Sequence, residues 1–140
     1  MLDFSSRLGR HVNSRLRREK VIWFTTVDSE RSPQPRPVWF HWDGKTILIF
    51  SEKSKAKLRH IAGNARVSLN FNTDEDGGDV AVLTSEAKIL DDPPPTDRIK
   101  NYLRKYTQGI KDLDMTVAEF RERYTVPILV TPQNMRGFIE

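Results

Sequence analysis

The chain has 140 residues, 37% of them apolar, a net charge of +4 and no cysteine. That length suits a single domain spanning 1–140, and the lack of cysteine excludes disulfides, thiolate metal sites and cysteine nucleophiles. No apolar run reaches the ~18 residues that span a bilayer, and the opening Met-Leu-Asp-Phe-Ser-Ser-Arg has no apolar stretch of the kind a secretory signal carries. A cytoplasmic protein with no membrane partner is therefore expected, and the positive charge favours anionic ligands.

Phe4, Leu8, Val12 and Leu16 recur every four residues, which predicts a helix with one apolar stripe, capped by Asp3. Arg7, Arg10, Arg15, Arg17 and Arg18 cover its other faces. With no aromatics among them, they read as a wet basic face, and nucleic acid is not an expected partner. From Val21 the pattern becomes that of strands. Val21–Val27 is the first, and residues 36–42 (Arg-Pro-Val-Trp-Phe-His-Trp) the second. Asp43-Gly44 makes a hairpin, and Thr46–Phe50 returns as the third strand. Pro33, Pro35 and Pro37 alternate, so the second strand has an edge that cannot be fully paired and is free to receive a ligand.

Ser54 is the expected N-cap of a helix running to Ala62, with Gly63-Asn64 as its stop. Strands at Arg66–Asn72 and Asp79–Leu90 follow. Thr96 then opens a helix to about Tyr106, and Thr116-Val-Ala-Glu119 is the capping box of a short helix ending near Tyr124. Val126–Thr131 is the last strand. Six strands with early hairpins and no strand–helix alternation predict a mainly β, α+β fold: an antiparallel barrel with peripheral helices.

Signatures of nucleophilic, nucleotide-binding and zinc-dependent catalysis are missing, so no catalytic residue is assigned. His11, His41 and His60 are widely spaced, and Asp74, Glu75 and Asp76 lack the alternation of a calcium loop; no metal is expected. One constellation stands out. Lys55 and Lys57 fall in the first turn of the Ser54 helix, with Lys53 just before it. This is the wrong charge for the positive end of a helix dipole. A solvated lysine face is one reading. The other is an anion site in which helix N–H groups, the hydroxyls of Ser51 and Ser54, and the ammoniums of Lys55 and Lys57 converge on a phosphate. By the hairpin, Arg36, Val38 and Trp39 are expected to lie beside Ser51, giving a flat ring a wall next to that phosphate.

Four stretches carry a resemblance: Thr25-Thr-Val, Pro33-Gln-Pro-Arg-Pro-Val-Trp-Phe40, Phe50-Ser-Glu-Lys-Ser-Lys-Ala-Lys57 and Asn64-Ala-Arg-Val-Ser-Leu69. Residues 19–90 resemble the pyridoxamine 5'-phosphate oxidase-like split β-barrels that bind FMN or coenzyme F420. With Gly77-Gly-Asp-Val80 and Tyr124-Thr-Val-Pro-Ile128, the full chain is similar to a small branch of F420-dependent enzymes. The resemblance implies a homodimeric split barrel with the cofactor in the intersubunit groove, and an F420-dependent oxidoreductase acting on a small organic molecule. FMN is the alternative cofactor, related branches use haem, and the rival reading of the function is a non-catalytic flavin, deazaflavin or haem binder. It further implies that Lys57 holds the phosphate, that Ser51 and Lys55 are nearby contacts, and that Arg36 to Trp39 lie along the ring. Asn64-Ala-Arg66 departs from the usual Asn-Pro-Arg. The C-terminal Trp and Arg motifs with which pyridoxamine phosphate oxidases hold their substrate are not evident.

Overall fold

A computed structural model describes residues 2–140. Helix α1 (Arg7–Arg18) leads into strands β1 (Ile22–Val27), β2 (Pro33–Val38), β3 (His41–Trp42) and β4 (Ile47–Ser51). Helix α2 (Ala56–Gly63), β5 (Arg66–Asn70) and β6 (Asp79–Ile89) follow. Three short helices, α3 (Thr96–Lys105), α4 (Thr107–Asp112) and α5 (Val117–Arg123), precede β7 (Val126–Ile139). The strands form one seven-stranded antiparallel sheet, ordered β2-β1-β5-β6-β7-β4-β3, which curls into the split barrel expected from the sequence.

β1 shows why the sheet curls around a core. Its residues alternate between buried and half-buried, with Ile22, Phe24 and Thr26 turned inward. Val67 and Leu69 of β5, Leu83 and Ala87 of β6, and Ile128 and Val130 of β7 meet them, and Val12 and Leu16 of α1 close the barrel. The N-cap of α1 is Ser6, whose hydroxyl accepts from Gly9 N–H at 3.0 Å. Asp3, the expected cap, instead accepts from the N–H and hydroxyl of Ser5.

Two differences from the expected strands decide where the site lies. The second strand is broken at Trp39–Phe40, so β2 pairs only with β1 and β3 pairs only with β4, at opposite ends of the sheet order. Ser51 pairs with Val126 of β7, and no hairpin places it beside Arg36 or Val38. The last strand also runs on to Ile139, because β6 offers a full-length partner across a bulge at Thr84/Ser85.

The segment between β6 and β7 carries a second, aromatic core of Tyr102, Tyr106, Ile110 and Phe120, packed by Trp39, Phe50 and Tyr124. It lies over β4, whose Ile47, Leu48 and Ile49 are buried on both faces. The Tyr106 hydroxyl bridges the break between β2 and β3. It accepts from Phe40 N–H at 2.7 Å and can donate to the carbonyl of Lys20 or Phe40. Arg98 fastens α3 to the β3–β4 hairpin. Its Nε donates to His41 Nδ1, one terminal nitrogen to Asp43 and Thr46 Oγ1, and the other to the carbonyls of His41 and Thr46, all within 2.8–3.2 Å. Burial, then the charges of Arg98 and Lys105, hold the His41 imidazole below its usual pKa, consistent with a neutral ring accepting at Nδ1.

Candidate functional site

A groove crosses the outer edge of β2 and the start of α2, and it has two chemically distinct halves that meet at Pro37 and Lys57. The first, about 360 Å³, is cationic, lined by Arg36, Lys55, Lys57 and His60 with Gln34 and Thr26. The second, about 290 Å³, is aromatic, lined by Trp39, Phe50, Tyr102, Phe120 and Tyr124 with Leu113 at its mouth.

The start of α2 explains the cationic half. The N-cap is Lys55 rather than the expected Ser54. Ser54 sits one residue too early, in a left-handed turn with φ 65°, and the extended cap conformation falls to Lys55. Lysine has no oxygen with which to accept from the helix, and no acid occupies the first turn, so the leading N–H groups of α2 have no side-chain partner. Lys57 is half-buried, and neither a hydrogen bond nor an ion pair holds its ammonium among the described residues. The nearby Glu52 carboxylate is shared instead by Lys55 at 3.9 Å and Arg123 at 3.4 Å. Burial, with Lys55 and Arg36 adding like charge, pushes the Lys57 pKa down, and Glu52 opposes this. A phosphate would relieve each of these conditions together, because it accepts from the N–H groups and compensates the buried charge.

A pH dependence follows. The free Lys57 has a depressed pKa, and a bound anion returns it toward 10.5. Affinity is therefore full below the depressed value and falls as pH rises through it. Above about pH 7, where a phosphate monoester is fully ionised, the Kd of a phosphorylated ligand should hold and then climb on the alkaline side. A Kd constant up to pH 10.5 would show that Lys57 does not bear on the anion.

The aromatic half is built by the helical segment. Trp39 stacks on Tyr106 at 4.5 Å with only 3° between the rings, and on Phe120 at 5.6 Å. Its indole also lies against Gly109, where an added Cβ would approach to 3.0 Å. The indole is thus locked from behind as a wall. Tyr102 meets Phe50 edge-on at 4.9 Å, and Phe120 stacks with Tyr124 at 4.6 Å.

Of the residues singled out in the sequence, Arg36, Pro37, Val38, Trp39, Lys55 and Lys57 line the groove. They come together because the sheet closes, not because of hairpin register. Ser51 lies buried at the end of β4 with its hydroxyl donating to the Glu52 carbonyl at 2.9 Å, and Ser54 is exposed on the preceding turn. Neither lines the groove. His60, Phe50, Tyr102, Phe120 and Tyr124 were not anticipated. The i, i+4 aromatic pairs Tyr102/Tyr106 and Phe120/Tyr124 are the signal that marks the last three, and nothing comparable marks His60 or Phe50. Among the described residues no three His, Asp or Glu side chains gather as a metal site, and no helix is long and apolar enough to cross a membrane.

The sequence profile of the pyridoxamine 5'-phosphate oxidase family matches residues 8–126. The chain belongs to this family. No curated protein matches it in sequence. Solved structures share its fold. A Listeria innocua protein named for pyridoxamine 5'-phosphate oxidase is 22% identical, with a TM-score of 0.70 over 94% of this chain and 98% of the other. An F420 reductase is also 22% identical, with a TM-score of 0.66 over 89% and 94%. The haem storage protein HutZ of Vibrio cholerae is 14% identical, with a TM-score of 0.70 over 94% and 95%. Proteins that share this fold are thus named for F420 in one case and for haem in another.

Proposed function

We propose that the groove binds coenzyme F420, with FMN as the alternative, and that the protein is an oxidoreductase acting on a small organic molecule. The observation that carries this is Lys57. It is a half-buried ammonium, unpaired among the described residues, at a helix start without a side-chain cap, set where a cationic cradle meets an aromatic cleft. The bound cofactor would supply the hydride chemistry. The chain's own residues hold and orient it: α2 and Lys57 the phosphate, Pro37 and Val38 the ring edge. The aromatic wall keeps water from the ring.

F420 adds carboxylates beyond its phosphate. Lys55 lines the cradle, and a further groove that shares His60 with it carries Arg59 and Arg31 beside Asp28 and Glu30, so an acidic tail would pair with Lys55 and Arg59. F420 is therefore expected to bind more tightly than FMN, with added salt narrowing the gap. Parallel titrations with F420, FMN and haem at low and high salt decide this. FMN binding more tightly at both salts would overturn F420, and haem alone binding would overturn the flavin reading.

We also propose a homodimer, as the resemblance implies, with the groove completed by a second copy. Sedimentation at micromolar concentration should show a dimer; a monomer would count against a shared groove.

A further inference from the structure

The backbone along the outer edge of β2 offers hydrogen-bond acceptors and no donors. Ile22, Phe24 and Thr26 of β1 face Val38, Arg36 and Gln34, and just before the turn Asp28 N–H donates to Ser32 O at 3.1 Å. The even-numbered residues of β2 therefore turn their backbone groups to β1, and Pro33, Pro35 and Pro37 turn theirs outward. Since β2 ends the sheet, no strand covers that side. An ordinary edge strand would show an N–H at each outward position, and three prolines remove all three. The Pro35 carbonyl is taken by the Arg36 guanidinium at 2.7 Å. Pro37 is the one that lines both halves of the groove.

We propose that this donor-free edge selects the cofactor, with Pro37 as the specificity-determining residue that favours a deazaflavin over a flavin. The inference rests on the functional reading above. The two ring systems share their imide N–H and carbonyls, and the Pro37 carbonyl can accept from that N–H in either. They differ at the central position. An oxidised flavin has a nitrogen there that accepts a hydrogen bond from water; a deazaflavin has C–H. Laid against an edge without donors, the flavin nitrogen loses its water and gains nothing, whereas the carbon loses nothing. Discrimination of this kind, by leaving one candidate's polar atom unpaired, exceeds what shape alone achieves between near-isosteres.

The test is to measure the Kd of FMN and of F420 on the wild type, Pro37→Ala, Pro37→Val and Pro35→Ala, with a melting curve for each. Either change at 37 restores one outward N–H, and valine suits the strand if alanine loosens it. FMN should bind roughly fivefold more tightly or better to both variants, with F420 within about twofold of wild type. Pro35→Ala, outside the groove, should alter neither. Equal gains for both cofactors, or no gain for FMN on a folded variant, would overturn the proposal. If wild type binds neither cofactor, the functional reading itself fails, and this inference falls with it.

Discussion

Replacing Lys57 with alanine is expected to weaken binding of a phosphorylated cofactor by roughly 1.5–3 kcal/mol, about 10- to 150-fold, while leaving the fold intact. The two effects separate because Lys57 makes no hydrogen bond or ion pair among the described residues, and it stands at the positive end of α2 beside Lys55 and Arg36. Removing it relieves an unfavourable dipole contact, worth a few tenths of a kcal/mol. Calorimetric titration alongside a melting curve reads both. Unchanged affinity with a lower Tm would make Lys57 a packing residue with a solvated tip.

The largest stability effect should come from Arg98→Ala, about 2–4 kcal/mol, or roughly 10 °C in Tm. All five guanidinium N–H groups are spent on one hairpin, and the side chain is only 13% exposed. Its loss removes the guanidinium donors from the carbonyls of His41 and Thr46, the latter keeping only the Asp43 N–H, and frees α3 from the barrel. Asp43, at 38% exposure, contributes less of the total than the carbonyls do, since water screens it. Arg98→Lys should recover little, because a single ammonium cannot span five acceptors spread over β3 and its turn. A loss under 1 kcal/mol by chemical denaturation would mean that the aromatic core alone secures α3. Because α3 carries Tyr102, the same variant should loosen the aromatic half of the groove.

Local chemistry was legible in the sequence wherever it is settled within a few residues. The Asp43-Gly44 turn, with Gly44 at φ 98°, joins β3 to β4 as read, and Thr116 and Glu119 form the reciprocal capping box. The two misplaced caps have local causes as well: Asp3 is diverted into a turn with Ser5, and a left-handed turn at Ser54 shifts the start of α2 by one residue. Long-range closure was not legible. Trp39 reads as a strand residue, and only the β6–β7 helices, more than 60 positions on, turn it into a wall by stacking Tyr106 upon it. The Arg98 fastening has no signature, since its acceptors, three side-chain atoms and two backbone carbonyls, all lie on a hairpin more than 50 positions away. The proline alternation of β2 was readable as an edge. Which strand it borders, and hence that its carbonyls face a groove, needed the sheet order.

The most direct test of the account is the structure of the protein with F420 bound. The phosphate should lie within hydrogen-bonding reach of Lys57 Nζ and the leading N–H groups of α2, with the ring along the outer edge of β2 at Pro37. A phosphate seated elsewhere, with the start of α2 left to solvent, would contradict it.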